Sequence, residues 1–106
     1  MPWVYLVIAG LFEVVWAFSM KQSDGFTRPG PTIVTIAAMI ASFALLSLSM
    51  KSLPLGTAYT IWTGIGAVGA FLVGIAMLGE AASAMRIVAA LLIVAGLVLM
   101  KIATPA

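Results

Sequence analysis

The sequence predicts an all-α integral membrane protein, four transmembrane helices forming a single domain over residues 1–106. Three observations predict it. Of the 106 residues 64% are hydrophobic and only 8% charged, far below the ~25% charged of a soluble domain. Four apolar runs approach the roughly 20 residues that a helix needs to cross a ~30 Å hydrocarbon core. The cations Lys21, Arg28, Lys51, Arg86 and Lys101 and the anions Asp24 and Glu80 fall in or beside the turn-rich stretches between or after those runs, and Glu13 alone does not.

The first run covers residues 3–20. It has no Lys or Arg before its apolar stretch and carries Glu13 in its middle, neither of which fits a cleavable targeting segment, so a retained helix is expected. The second and third, residues 32–50 and 57–78, are bounded by the stretches 21–31 and 51–56, which hold Asp24, Gly25, Pro29, Gly30 and Pro31 and then Pro54 and Gly56. The fourth, residues 86–103, follows the loop 79–85 and is the shortest uncharged stretch. Arg86 and Lys101 at its ends extend the span by snorkelling to the headgroups.

Composition also removes function classes. With no cysteine there is no disulfide framework, thiolate ligand or sulfur nucleophile, and with no histidine the commonest metal ligand and neutral-pH acid/base is missing. An enzyme is not expected, nor a metal or a cofactor. The net charge of +2 comes from scattered single cations, which is not the footprint of a nucleic-acid binder. The bilayer is the expected surrounding, and function must lie within the helices. Four short helices enclose little volume, so a site walled on all sides is easier to build from two copies, and a homodimer is the expected assembly.

Glu13 is the most informative residue. A carboxylate placed mid-membrane costs a few kcal/mol even on lenient scales, and such groups line cavities or ion paths. The alternative is a structural carboxyl bonded to a neighbouring helix, a task for which Gln would serve. A carboxyl that holds a proton or a cation, but not both well, is the physical core of an antiporter. Gly10 and Trp16 lie three residues to either side of Glu13, which places a gap at one turn and an indole at the next. Tyr59 and Trp62, again three apart, begin the third run. Rings with N–H and O–H tips orient a carboxylate and offer π faces to a cation, the competing use being an interfacial belt. Ser42 adds a hydroxyl at similar depth in the second run, where a serine often bonds a carbonyl one turn back. Gly64, Gly66 and Gly69 permit either close helix packing or a hinge. Ala89, Ala90, Ala95 and Gly96 give the last helix a small-residue surface suited to a seam between copies. Glu80 and Arg86 read as a solvated loop charge and a helix-end anchor, with no chemistry.

Three stretches together resemble the small multidrug resistance family of membrane exporters. They are Gly10-Leu11-Phe12-Glu13-Val14-Val15-Trp16-Ala17, then Lys21-Gln22-Ser23-Asp24-Gly25-Phe26-Thr27-Arg28, then Pro54-Leu55-Gly56-Thr57-Ala58-Tyr59-Thr60-Ile61-Trp62-Thr63-Gly64-Ile65-Gly66. The resemblance covers the whole chain, with the loop 79–84 its least recognisable part. Trp16 resembles the guanidinium-exporter subtype, since multidrug members usually carry a small residue there. The resemblance implies a protein of the bacterial cytoplasmic membrane, an antiparallel, dual-topology homodimer with both Glu13 carboxylates in one pocket. There it would exchange protons for guanidinium and small guanidinyl cations leaving the cytoplasm. It further implies that Glu13 binds proton and substrate, and that Gly10, Trp16, Ser42, Tyr59 and Trp62 surround it. Gly64, Gly66 and Gly69 would flex the third helix, and Gly96 would sit at the dimer contact. A broader exporter of quaternary ammonium cations is the alternative within the family, and a non-transport assembly or accessory subunit is the alternative outside it.

The loop charges bear on orientation. With the N-terminus in the cytoplasm, that side holds Lys51 and Lys101 against Lys21, Arg28 and Arg86 outside, and reversal turns two against three into three against two. The positive-inside preference follows Lys and Arg in short loops and hardly separates the two placements. Copies inserted both ways are therefore expected, and a cysteine at the C-terminus should be labelled from both faces of the membrane. Adding two lysines at Ser52 and Leu53 should lock one orientation and abolish activity, which an oppositely biased copy should restore. Labelling of the unmodified orientation from one face only refutes the expectation.

Overall fold

The computed structural model describes residues 1–104. It contains α1 (Pro2–Gln22), α2 (Pro29–Ser49), α3 (Leu55–Leu78) and α4 (Ala84–Ala103), each about 30 Å or longer at 1.5 Å per residue. All four are long and apolar enough to cross a membrane. The helices begin earlier than the apolar runs suggest, and the reason is in their first residues. Pro2 and Pro29 occupy first-turn positions, where a missing N–H costs nothing. Pro29, Gly30 and Pro31, expected in a loop, thus open α2. Leu55 and Gly56 open α3 behind Pro54. Ser83 caps α4 by accepting the Arg86 N–H at 3.3 Å, so Ala84 and Met85 are helical as well.

The connection between α1 and α2 is organised by Ser23, which is fully buried. Its hydroxyl donates to the Met20 carbonyl at 2.7 Å and accepts the Phe26 N–H at 3.1 Å. Asp24, Gly25 and Phe26 follow in succession at positive φ, a left-handed run that reverses the chain in a few residues. The α3 terminus is a glycine stop. Gly79 turns left-handed at φ 68°, and the Glu80 N–H reaches back to the Gly74 carbonyl at 3.0 Å.

α1 is the central helix, packed against α2 on one side and α3 on the other, while α4 packs along α3. The buried core gathers at one end of the bundle, where Leu6 and Ala9 of α1 meet Leu46, Leu53, Ala58, Ile61 and Trp62. The cations of α4 fold onto aromatic rings at both ends, Arg86 over Phe71 at 5.2 Å and Lys101 over Trp3 at 4.7 Å. Arg86 also donates to the Ala81 carbonyl at 2.6 Å.

The Cα positions extend 43 × 34 × 16 Å. With helices about 10 Å across, that is a slab too thin to surround a solute. No residue of α4 is buried, and Gly96 has nothing within 4 Å of where a Cβ would stand. Gly96 therefore lies on an open surface of the protomer.

One placement alters the orientation test. Leu53 lies in the core at 4% exposure, because its side chain closes the end of the bundle rather than facing the headgroups. A lysine there would bury a charge, whereas Ser52 and Leu55 are both exposed. Lysines at Ser52 and Leu55 should bias orientation and leave the extracted protein folded, as read by circular dichroism and thermal melting. The Leu53→Lys variant should melt at a clearly lower temperature.

Candidate functional site

Glu13 lies near the middle of α1, and its side chain is directed at α3. Opposite it is Gly66: a Cβ built there would collide with Glu13 Oε1, Cδ and Cγ. The carboxyl thus lies on the bare backbone of α3, in a gap that the absence of a side chain leaves. Oε1 of Glu13 and Nε1 of Trp16 are both buried, and neither has a hydrogen-bond partner among the described residues. Buried polar groups are normally satisfied, because desolvation without a partner costs about 1–3 kcal/mol. The two groups, one acceptor and one donor, lie three residues apart on α1.

Of the other expected site residues, Ser42, Trp62, Tyr59 and Trp16 are linked through α2, and none hydrogen-bonds the carboxyl among the described residues. Nε1 of Trp62 donates to Ser42 Oγ at 2.9 Å, and Ser42 Oγ donates to the Ala9 carbonyl at 2.7 Å. Ser42 does not bond one turn back within its own helix. It ties α3 to α1 through α2, and it is fully buried. In α-helical geometry the carbonyl of residue 9 is also the acceptor for the amide of residue 13. The Trp62–Ser42 chain therefore ends on the peptide that sets the position of the Glu13 backbone.

The rings form a second chain. Tyr59 and Trp62 have centroids 5.6 Å apart, Trp62 and Phe43 5.8 Å, and Phe43 and Trp16 6.5 Å in an edge-on arrangement. These are distances at which aromatic pairs attract. Phe43 is the residue that the sequence reading missed. Its position next to Ser42, at the same depth, was the available signal. Tyr59 stands at the outer end of the chain at 54% exposure, and its hydroxyl makes no hydrogen bond among the described residues. It borders a groove of about 360 Å³ between α3 and α4, with Thr63, Gly64 and Ile93.

The glycines have individual partners. Gly10 is occupied by Ile65, Gly64 by Leu97 of α4, and Gly69 by Val14, each close enough to forbid a Cβ without movement. The gap expected beside Glu13 at Gly10 is thus filled from α3, because small residues on facing helices let side chains interdigitate. α3 runs unbroken through Gly64, Gly66 and Gly69.

Residues 1–102 match the family model described as Small Multidrug Resistance protein. The chain belongs to the small multidrug resistance family. Relatives within it include proteins named guanidinium exporter from Citrobacter freundii and Salmonella typhimurium, each 58% identical over 104 residues, covering 98% of this chain and 99% of the relative. Another of that name, from Escherichia coli K12, is 56% identical over the same shares. The relatives are bacterial, and a bundle of apolar helices belongs to the inner, cytoplasmic membrane, since outer-membrane spans are β-barrels. This small multidrug resistance protein is therefore a multi-pass protein of the cytoplasmic membrane.

The seat at Gly66 makes a direct prediction. Gly66→Ala should leave α3 helical, since alanine is the better helix former by about 1 kcal/mol. It should nonetheless displace the Glu13 carboxyl and weaken cation binding about tenfold or more, measured by calorimetry on detergent-solubilised protein. Binding equal to the unmodified protein would show that Glu13 does not work from this seat. Ser42→Ala, which leaves the Trp62 N–H without its acceptor, should cost about 1–3 kcal/mol of stability, read as a lowered melting temperature.

Proposed function

We propose that this protein is a proton-coupled antiporter that exports guanidinium and small guanidinyl cations from the cytoplasm, with Glu13 as the group that binds proton and substrate in turn. The observation that carries the reading is a mid-span carboxyl whose buried oxygen has no partner among the described residues. Its relatives named guanidinium exporters, nearly full-length matches, point to the substrate.

The chemistry suits that cation. Guanidinium is planar, delocalised and permanently charged near neutral pH, and it offers paired N–H donors that meet both oxygens of a carboxylate. A protonated carboxyl loses both the charge and one acceptor, so proton and guanidinium compete for Glu13. Competition at one group, with access alternating between the two sides, couples proton entry to cation exit. Trp16 walls the site beside the carboxyl and limits the breadth of the cations admitted. Its unpaired N–H is available to the occupied site.

The working unit in this reading is an antiparallel homodimer. A slab 16 Å thick does not enclose an ion, whereas two slabs face to face form a pocket holding both Glu13 side chains. The exposed surface of α4 around Gly96 supplies the contact between copies. Tyr59, Ser42, Trp62 and Gly10 line or support the pocket. The α3 glycines, Gly64, Gly66 and Gly69, are the positions at which the helix bends as the pocket changes sides.

Purified protein in liposomes with an imposed pH gradient tests the reading. Guanidinium should drive proton movement, and Glu13→Gln, which keeps the size and removes the titration, should abolish it while the dimer persists. Undiminished antiport by that variant sinks the mechanism. Trp16→Gly should change the rank order of cations toward bulkier ones; an unaltered order removes Trp16 as the selectivity wall.

A further inference from the structure

The seam between α1 and α3 continues past Glu13. Along α1 the positions 13, 17 and 21 follow one another at four-residue steps, and along α3 so do 66, 70 and 74, so each series stays on one face. Glu13 meets Gly66 at the inner end. Further out the helices part into a cleft of about 180 Å³ bordered by Ala17 and Lys21 of α1, Ala70 and Gly74 of α3, and Glu80, well above the roughly 15 Å³ that one water needs.

The backbone holds Glu80 at this cleft. Its N–H is bonded to the Gly74 carbonyl at 3.0 Å, and its carboxyl packs on the Gly74 backbone so closely that a Cβ at 74 would collide with Oε1 and Cδ. The arrangement repeats that of Glu13 on Gly66: a carboxyl lying on α3 where a glycine leaves room. Eight residues separate the two glycines, about 12 Å of helix. Glu80 itself is exposed, so its carboxyl rests against the Gly74 backbone on one side and is open to water, and to an arriving cation, on the other.

We propose that Glu80 is an outer cation-binding site of this protein, a second carboxylate station at the mouth of the α1–α3 cleft that takes guanidinium-type cations passing to or from Glu13. The inference rests on the export reading above and extends it to the route. Glu80 offers paired acceptors to a delocalised cation, as Glu13 does. Lys21, on the opposite wall of the same cleft, competes for the carboxylate, so the station binds weakly and releases readily. A transit site requires that balance, since tight binding at the mouth would slow exit. In an antiparallel pair each mouth carries one such station.

Guanidinium flux in liposomes at low ionic strength tests this. An exposed ion contact is worth a fraction of a kcal/mol to about one, so Glu80→Gln should raise the half-saturating guanidinium concentration about twofold to fivefold with the maximal rate retained. Lys21→Gln should lower it. Gly74→Ala, which keeps Glu80 but expels its carboxyl from the seat, should reproduce Glu80→Gln, and combining the two should add nothing further. Half-saturation unchanged in Glu80→Gln, or Gly74→Ala equal to the unmodified protein, overturns the outer site while leaving the export reading in place. No guanidinium flux by the unmodified protein overturns both.

Discussion

A carboxyl in the middle of a membrane span has to be put somewhere, and the contact between Glu13 and Gly66 is where this fold puts it. Everything around that contact serves it. α1 is the central helix, flanked on both sides, so that its one charged residue within the span does not look straight into lipid. α3 approaches closely enough to receive it because small residues on each helix take the side chains of the other, Gly10 taking Ile65 and Gly69 taking Val14. A Cβ at any of these positions would push the helices apart and leave the carboxyl without a seat.

The hydrogen-bond chain from Trp62 through Ser42 to the Ala9 carbonyl acts on the same contact from the other side. In a lipid environment a polar side chain has no water to turn to, so bonds of this kind fix the relative positions of helices. This one fixes all three helices that surround Glu13 and ends one helical turn before it. The rings of Trp16, Phe43, Trp62 and Tyr59 extend the arrangement from α1 across α2 to α3. What the protomer leaves undone is as informative. Glu13 Oε1 and Trp16 Nε1 stay unpaired among the described residues, α4 has no buried residue, and the slab is too thin to enclose an ion. These three features share one explanation if the site is completed by a second copy and filled by an exchanging ion.

The bundle is uneven along its length. The large buried side chains collect at the end where Leu6, Leu46, Leu53 and Ile61 meet, and the other end of the α1–α3 seam opens into a cleft bordered by Ala17, Phe18, Ala70, Val73, Gly74 and Leu78. A firmly packed end and an open cleft thus lie on either side of the central carboxyl. The glycine stop of α3 completes the cleft end. By reversing the chain at Gly79 it returns Glu80 to the helix it has just left.

The sequence by itself determined the solvent, the number of spans and the one carboxyl that stands in the middle of a span. Charge is so sparse that lipid is the only medium that suits the chain, and a lone Glu in an apolar run identifies itself. The family, too, was legible in the stretches around Glu13, Ser23 and Tyr59. The helix starts were less so, because Pro29 and Pro31 read as turn residues although a proline in the first turn of a helix costs little. Which glycine faces which side chain was decided only by the tertiary structure. Helical spacing states which residues share a face of one helix, but the four helices are apolar on every side and no hydrophobic stripe sets their rotation about one another. Gly66 as the seat of Glu13, Ser42 bonding across two helices instead of one turn back, Phe43 between two indoles, and Glu80 folded onto Gly74 all depend on that rotation, which side-chain packing between helices fixes.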